Sequence, residues 1–198
     1  IMAGLSNAAQ SQSPIPPVAE PSPTPGGAPP ARQRVSAEDL VSGVVRIKTL
    51  INPDGRTVET LGREREGSGV VIDANGLVLT IGYLMVEAHA AEITTNEGRT
   101  VPAEIVGYDY DTGFGLLRAA APLKVRPMPL GRSADIRTGD RVLVASGGGI
   151  DMVGAAEVAA KREFAGYWEY LLDEALFAHD PVNFHPLTGL NGFFTLGL

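Results

Sequence analysis

Two β-type runs closed on each other by an Asn-Gly pair constrain this chain more than anything else in it. Gly67-Ser68-Gly69-Val70-Val71-Ile72-Asp73 leads into Ala74-Asn75-Gly76 and returns as Leu77-Val78-Leu79-Thr80. Aliphatic and β-branched residues flanking Asn-Gly, a pair that favours positive φ, specify a hairpin. The same grammar recurs along the chain. Residues 44–50 alternate apolar and polar after a two-valine start, and Asn52-Pro53-Asp54-Gly55 is a strong turn. Residues 56–63 are expected to return as a second, more polar strand. Residues 92–95, the turn 96–99 and residues 100–108 read as another hairpin, and 114–118, 141–145 and 152–158 as further strands. Ser36 is placed to cap a short helix whose first turn holds Glu38 and Asp39. Short strands at this spacing, with no heptad or βαβ pattern beside them, predict a closed or sandwiched all-β fold.

Composition sets the organisation. Residues 1–34 carry eight prolines, from Pro14 to Pro30, among Ser, Thr, Gly and Ala. Such text cannot bury a core and reads as a disordered, extended linker. Its apolar start, residues 1–9, reads equally as the remnant of a signal peptide or as an ordinary chain beginning. The folded domain is expected over residues 35–175, followed by an atypical tail, residues 176–198. A net charge of −7, with Lys and Arg scattered, excludes a nucleic-acid binder. The absence of cysteine removes disulfides, thiolate metal sites and a thiol nucleophile. No apolar run reaches the roughly 20 residues of a membrane helix, so membrane attachment would come only from a tether upstream of residue 1.

The Gly67–Thr80 segment resembles the part of trypsin-like serine peptidases, especially the HtrA/Deg branch, that delivers the catalytic histidine. There a Gly-Ser-Gly hairpin ends in Leu-Thr, and histidine follows three residues after the threonine. Here Leu79-Thr80 is followed by Ile81-Gly82-Tyr83, so Tyr83 stands in the histidine position. Two further runs extend the resemblance in order. Val106-Gly107-Tyr108-Asp109-Tyr110-Asp111-Thr112-Gly113-Phe114-Gly115-Leu116-Leu117 resembles the strand bearing the catalytic aspartate, with Gly113 in its place. Gly139-Asp140-Arg141-Val142-Leu143-Val144-Ala145 resembles an early strand of the second barrel. The family's fold, two six-stranded β-barrels with the catalytic triad between them, implies here a complete first barrel and a partial second one.

The chemistry of that family needs a hydroxyl nucleophile, an imidazole base, a carboxylate to orient it and amides for the oxyanion. A phenol of ordinary pKa is almost wholly protonated at neutral pH, so Tyr83 is a poor base, and its ring is expected to fill the cleft. Gly113 cannot orient an imidazole, and Asp109 and Asp111 are expected to serve turn hydrogen bonds. The tail lacks a serine loop; no serine follows Ser146. Ser146, in Ser146-Gly147-Gly148, is the substitute nucleophile the sequence offers, in a register well before the expected loop. His89 is expected at the start of the following loop or on its surface. His179 and His185, with Asp180, form no expected metal site, and no cofactor is expected. Gly82, Gly113 and Gly115 leave the former cleft either hollowed or collapsed. The reading is a peptidase-family domain without catalytic residues, acting as a peptide-binding or scaffold module in the bacterial periplasm or cell envelope. The alternatives are an active serine endopeptidase of the HtrA/Deg kind, or a structural envelope domain without ligand.

Overall fold

In the computed structural model, residues 36–165, 171–179 and 194–197 are described, and all lie in the unit Val35–Leu198. The Pro-rich residues 1–34 fall outside the described residues, as do Asp180 and His185. Ser36 caps helix α1 (Ala37–Ser42) as its sequence demands: its Oγ accepts from the Asp39 amide at 3.0 Å. Six strands follow: β1 (Val44–Ile51), β2 (Glu64–Val71), β3 (Leu77–Ile81), β4 (Ala88–Thr94), β5 (Thr100–Tyr108) and β6 (Phe114–Ala119). They close an antiparallel barrel in the order β1-β2-β3-β6-β5-β4. The expected all-β fold is therefore present, with its first barrel complete. Val45, Ile47, Val78, Leu84, Ile93 and Leu117 are wholly buried in its interior, each burial contributing about 1.5–3 kcal/mol against exposure.

The Gly67-Ser68-Gly69 run owes its residues to three different contacts. A Cβ on Gly67 would lie 2.7 Å from Leu84 Cδ1, and one on Gly69 would lie 2.4 Å from Ile47 Cδ1 and 2.6 Å from Val78 Cγ1. Both glycines face the interior, where neighbouring side chains occupy the space a Cβ would need. Ser68 faces the other way, and its Oγ accepts from the Gly147 amide at 2.9 Å. Thr80 returns across the hairpin, its hydroxyl donating to the Ser68 carbonyl at 2.8 Å. At the hairpin tip only Gly76 adopts positive φ, at 77°, and Asn75 does not. Asp73 explains the difference: its Oδ1 accepts from the Asn75 and Leu77 amides at 2.8 Å each, so the side chain shapes the turn.

The strand expected over residues 56–63 does not form. The chain instead makes a short helix, α2 (Val58–Leu61), and β2 begins only at Glu64. The cause lies in a distant residue. Glu87 accepts from the amides of Arg56 at 3.0 Å and Thr57 at 2.8 Å, removing donors a strand ladder would need. Gly62, at φ 81°, then turns the chain into β2.

Beyond the barrel, β7 (Arg141–Ala145), β8 (Val153–Ala165), β9 (Leu171–His179) and β10 (Phe194–Gly197) form a sheet in the order β10-β7-β8-β9. β9 runs through the boundary expected at residue 175. A second apolar cluster joins barrel to sheet, uniting Val41, Val44 and Val70 with Met128 and Ala145. The loop after β7 presses on β1, since a Cβ on Gly147 would lie 2.7 Å from the Arg46 amide nitrogen. Gly69→Ala should overpack the barrel and cost about 1–3 kcal/mol, read as a lower denaturant midpoint at unchanged m-value. Gly98→Ala is the contrast: with open space around it, only its left-handed φ is at stake, about 1 kcal/mol.

Candidate functional site

Strand β3 delivers the chain into a 3-10 turn, Gly82–Met85, that carries the position expected of a catalytic base. Three side-chain bonds hold it. Thr49 Oγ1 donates to the Leu84 carbonyl at 2.6 Å, while Arg65 Nη1 donates to the carbonyls of Tyr83 at 2.5 Å and Val86 at 3.0 Å. Leu84, wholly buried, seats its side chain over Gly67. Tyr83 is half-buried and packs against the barrel core.

At Gly82 and Gly115 the space a side chain would need is already occupied. A Cβ on Gly82 would fall 1.8 Å from Tyr108 Cε2, and one on Gly115 would fall 1.9 Å from Met85 Cε. The ring of Tyr108 and the thioether of Met85 therefore occupy the space those glycines leave. The Gly82 amide donates to the Gly113 carbonyl at 2.7 Å, tying the turn to the start of β6. Gly113 has φ 71°, a left-handed conformation that disfavours a side chain. Its position is thus set by a backbone turn, closed by its amide donating to the Asp109 carbonyl at 2.9 Å.

Asp109 performs the turn role expected of it. Its carboxylate accepts from the Thr112 hydroxyl at 2.6 Å and the Asp111 amide at 3.1 Å, and these bonds, the hydroxyl first, hold its pKa below the usual value. Asp111 is exposed, and its carbonyl accepts from the Leu171 amide at 3.0 Å. Ser146 is 7% exposed and sits at the junction between barrel and sheet. Among the described residues it is not beside a histidine. His89 stands exposed within β4, not at the start of a loop. The Gly147 backbone rests on Arg46, which pairs with Thr94. Five residues separate Thr94 from His89, roughly 16 Å of strand. His179 pairs with Glu157, and Glu157 with Arg141, five residues before Ser146 and again roughly 16 Å along the strand. Among the described residues no three His, Asp or Glu side chains gather as a ligand set.

A polar network runs from the buried Arg65 beneath the turn to the exposed Glu87. Arg65 is 4% exposed; its Nη2 donates to Thr57 Oγ1 at 2.5 Å, and that hydroxyl donates to Glu87 Oε2 at 2.6 Å. Burial lowers the Arg65 pKa, with the Glu87 charge opposing. The Thr57 hydroxyl and amide, then the Arg56 amide and Arg65, hold the Glu87 carboxyl below its ordinary pKa despite some desolvation. None of these three residues stands out in the sequence as a site. Arg65 offered one signal, since it shares the inward parity of Gly67 and Gly69 on β2; Glu87 offered none.

Two expected outcomes follow from this geometry. Gly82→Ala should cost about 1–3 kcal/mol through its clash with Tyr108, and a double-mutant cycle with Tyr108→Ala should recover most of that loss. The Glu87 carboxylate, with its folded pKa depressed, contributes stability fully above its unfolded pKa, which is lost as pH falls through the lower folded value. The protection factors of the Arg56 and Thr57 amides, corrected for intrinsic exchange, should therefore fall as acid protonates Glu87, and Glu87→Gln should flatten that dependence.

Comparison with known proteins agrees with this architecture. The family profile described as "Trypsin-like peptidase domain" matches residues 67–186, more than half of the chain. Protease Do-like 1, chloroplastic, of Arabidopsis thaliana is 32% identical over 114 residues, covering 57% of this chain and 26% of that protein. The periplasmic pH-dependent serine endoprotease DegQ of Escherichia coli is 35% identical over 75 residues, 37% of this chain and 16% of its own. The chain thus spans about a quarter or less of these relatives. Among solved structures, the HtrA-type protease AlgW with decapeptide superposes with a TM-score of 0.58 at 23% identity, covering 82% of this chain and 56% of its own. By profile, by relatives and by fold, the chain belongs to the trypsin-like peptidase family, with its homologues in the HtrA/Deg branch.

Proposed function

We propose that this domain does not cleave peptide bonds and acts as a peptide-binding or scaffold module of its family. The observation that carries the reading is the close packing beside the expected catalytic positions, where the Tyr108 ring lies over Gly82 and Met85 lies over Gly115. An acyl-transfer site needs a nucleophile and a base within hydrogen-bond reach. Tyr83 and Gly113 occupy the positions where the family's pattern expects base and orienter. Ser146 is buried at the barrel–sheet junction and far along the strands from His89 and His179. The peptide ligand is supported by the AlgW structure, solved with a decapeptide. A bacterial envelope setting is supported by DegQ, named as periplasmic; no helix among the described residues is long and apolar enough to cross a membrane. The Pro-rich residues 1–34 serve in this reading as a linker.

The competing reading is an active serine endopeptidase, favoured by the names of the relatives. Purified protein incubated with unfolded casein and a fluorophosphonate probe separates the two. The proposal expects no turnover above a buffer blank and no probe labelling. Labelling together with cleavage that disappears in Ser146→Ala would overturn it in favour of the peptidase. A peptide array that returns no reproducible motif would leave only the structural role.

A further inference from the structure

Two segments distant in sequence meet at the Thr57 hydroxyl and at the backbone amides around it. The excursion between β1 and β2, residues 52–63, is tied to Glu87, just beyond the turn Gly82–Met85, by the amides of Asn52, Arg56 and Thr57 and by the Thr57 hydroxyl, which also accepts from the Arg65 that holds the turn. Thr57 Oγ1 donates to Glu87 Oε2 at 2.6 Å and accepts from Arg65 Nη2 at 2.5 Å. The two charges fix that polarity, because a guanidinium only donates and a carboxylate only accepts. On its other arm Arg65 holds the carbonyls of Tyr83 and Val86. Glu87 is fastened at its backbone as well: its carbonyl accepts from the Asn52 amide at 2.9 Å, and its φ of 60° is an unusual conformation for a side-chain-bearing residue.

The guanidinium has little in reserve. Arg65 is nearly wholly buried, no carboxylate among the described residues reaches salt-bridge range of it, and its buried Nε has no acceptor. Removal of the Thr57 hydroxyl would leave a second buried nitrogen short of its acceptor, a costly state for a charged donor. Relief comes from movement of the guanidinium toward water, and that movement takes Nη1 off the carbonyls of Tyr83 and Val86. We infer that the excursion 52–63 is a control handle on the turn Gly82–Met85, with Thr57 as its coupling residue: displacement of the excursion loosens the hold of Arg65 on the turn. The coupling is a property of the folded domain and does not rest on the function proposed above.

Hydrogen exchange of the full chain, resolved by residue, tests it. Thr57→Val keeps the shape and removes both hydroxyl bonds, whereas Thr57→Ser restores them. Thr57→Val should raise exchange about tenfold or more, the scale of a lost charged hydrogen bond, at the amides of residues 56–62 and of 83–87 together. Amides of β5 and β6 should be unchanged, and Thr57→Ser should resemble the parent. Faster exchange confined to residues 56–62, with 83–87 unmoved, would overturn the coupling. So would a uniform acceleration through the barrel, which marks general destabilisation. Where Thr57→Val folds poorly, Glu87→Gln supplies the same comparison from the exposed end of the network. Exchange is read without any peptide, so a failure to find a ligand would count against the proposed function and leave this result standing.

Discussion

The barrel is organised around Leu84. Its side chain seats over Gly67 on β2, its carbonyl is held by Thr49 on β1, and the carbonyls on either side of it are held by Arg65. A 3-10 turn leaves carbonyls without partners inside its own short helix. Burying such a turn requires side chains that supply donors, and β1 and β2 supply them at facing positions, Thr49 opposite Arg65 in the register. The apolar plug and the polar clamp therefore work together. Without Gly67 the plug has no seat, and without Thr49 and Arg65 the buried carbonyls would stand unpaired, each a cost of about 1–3 kcal/mol.

The same β2 segment also decides how barrel and sheet meet. Its inward residues are glycines that admit Leu84, Ile47 and Val78, while the serine between them points outward and binds the loop after β7. Three consecutive residues thus fix the interior packing, the turn and the junction with the second sheet. The cleft region follows from this arrangement. The turn lies against β6 through the Gly82–Gly113 bond, and the glycines there bring backbones close enough for Tyr108 and Met85 to take up the remaining space. A buried cation with no carboxylate among the described residues in salt-bridge range is tolerated because three oxygens, two of them backbone, solvate it.

Local signals carried much of the fold. The Asn-Gly hairpin, the Ser36 cap and the alternation in β1 each rest on interactions within a few residues, and each forms as its residues dictate. The strand expected over residues 56–63 failed for the opposite reason. Its backbone donors go to Glu87, about thirty residues on. His89 lies in β4 because strand pairing with β1 continues to Ala88 past the bulge at Leu50/Ile51, which no local pattern reveals. The close packing at Gly82 and Gly115 was likewise beyond reach, since it turns on where the Tyr108 and Met85 side chains go.

The sequence by itself determined the family and the all-β class, because turn chemistry, strand alternation and the Gly-Ser-Gly hairpin are encoded by neighbours in the chain. It also determined that tyrosine and glycine stand at Tyr83 and Gly113. The tertiary structure alone decided that Tyr108 and Met85 occupy the space beside Gly82 and Gly115, that Ser146 is buried at a junction, and that Arg65, Thr57 and Glu87 form one network. Each of those outcomes is a contact between residues far apart in sequence, set by side-chain packing and by the need to satisfy buried polar groups.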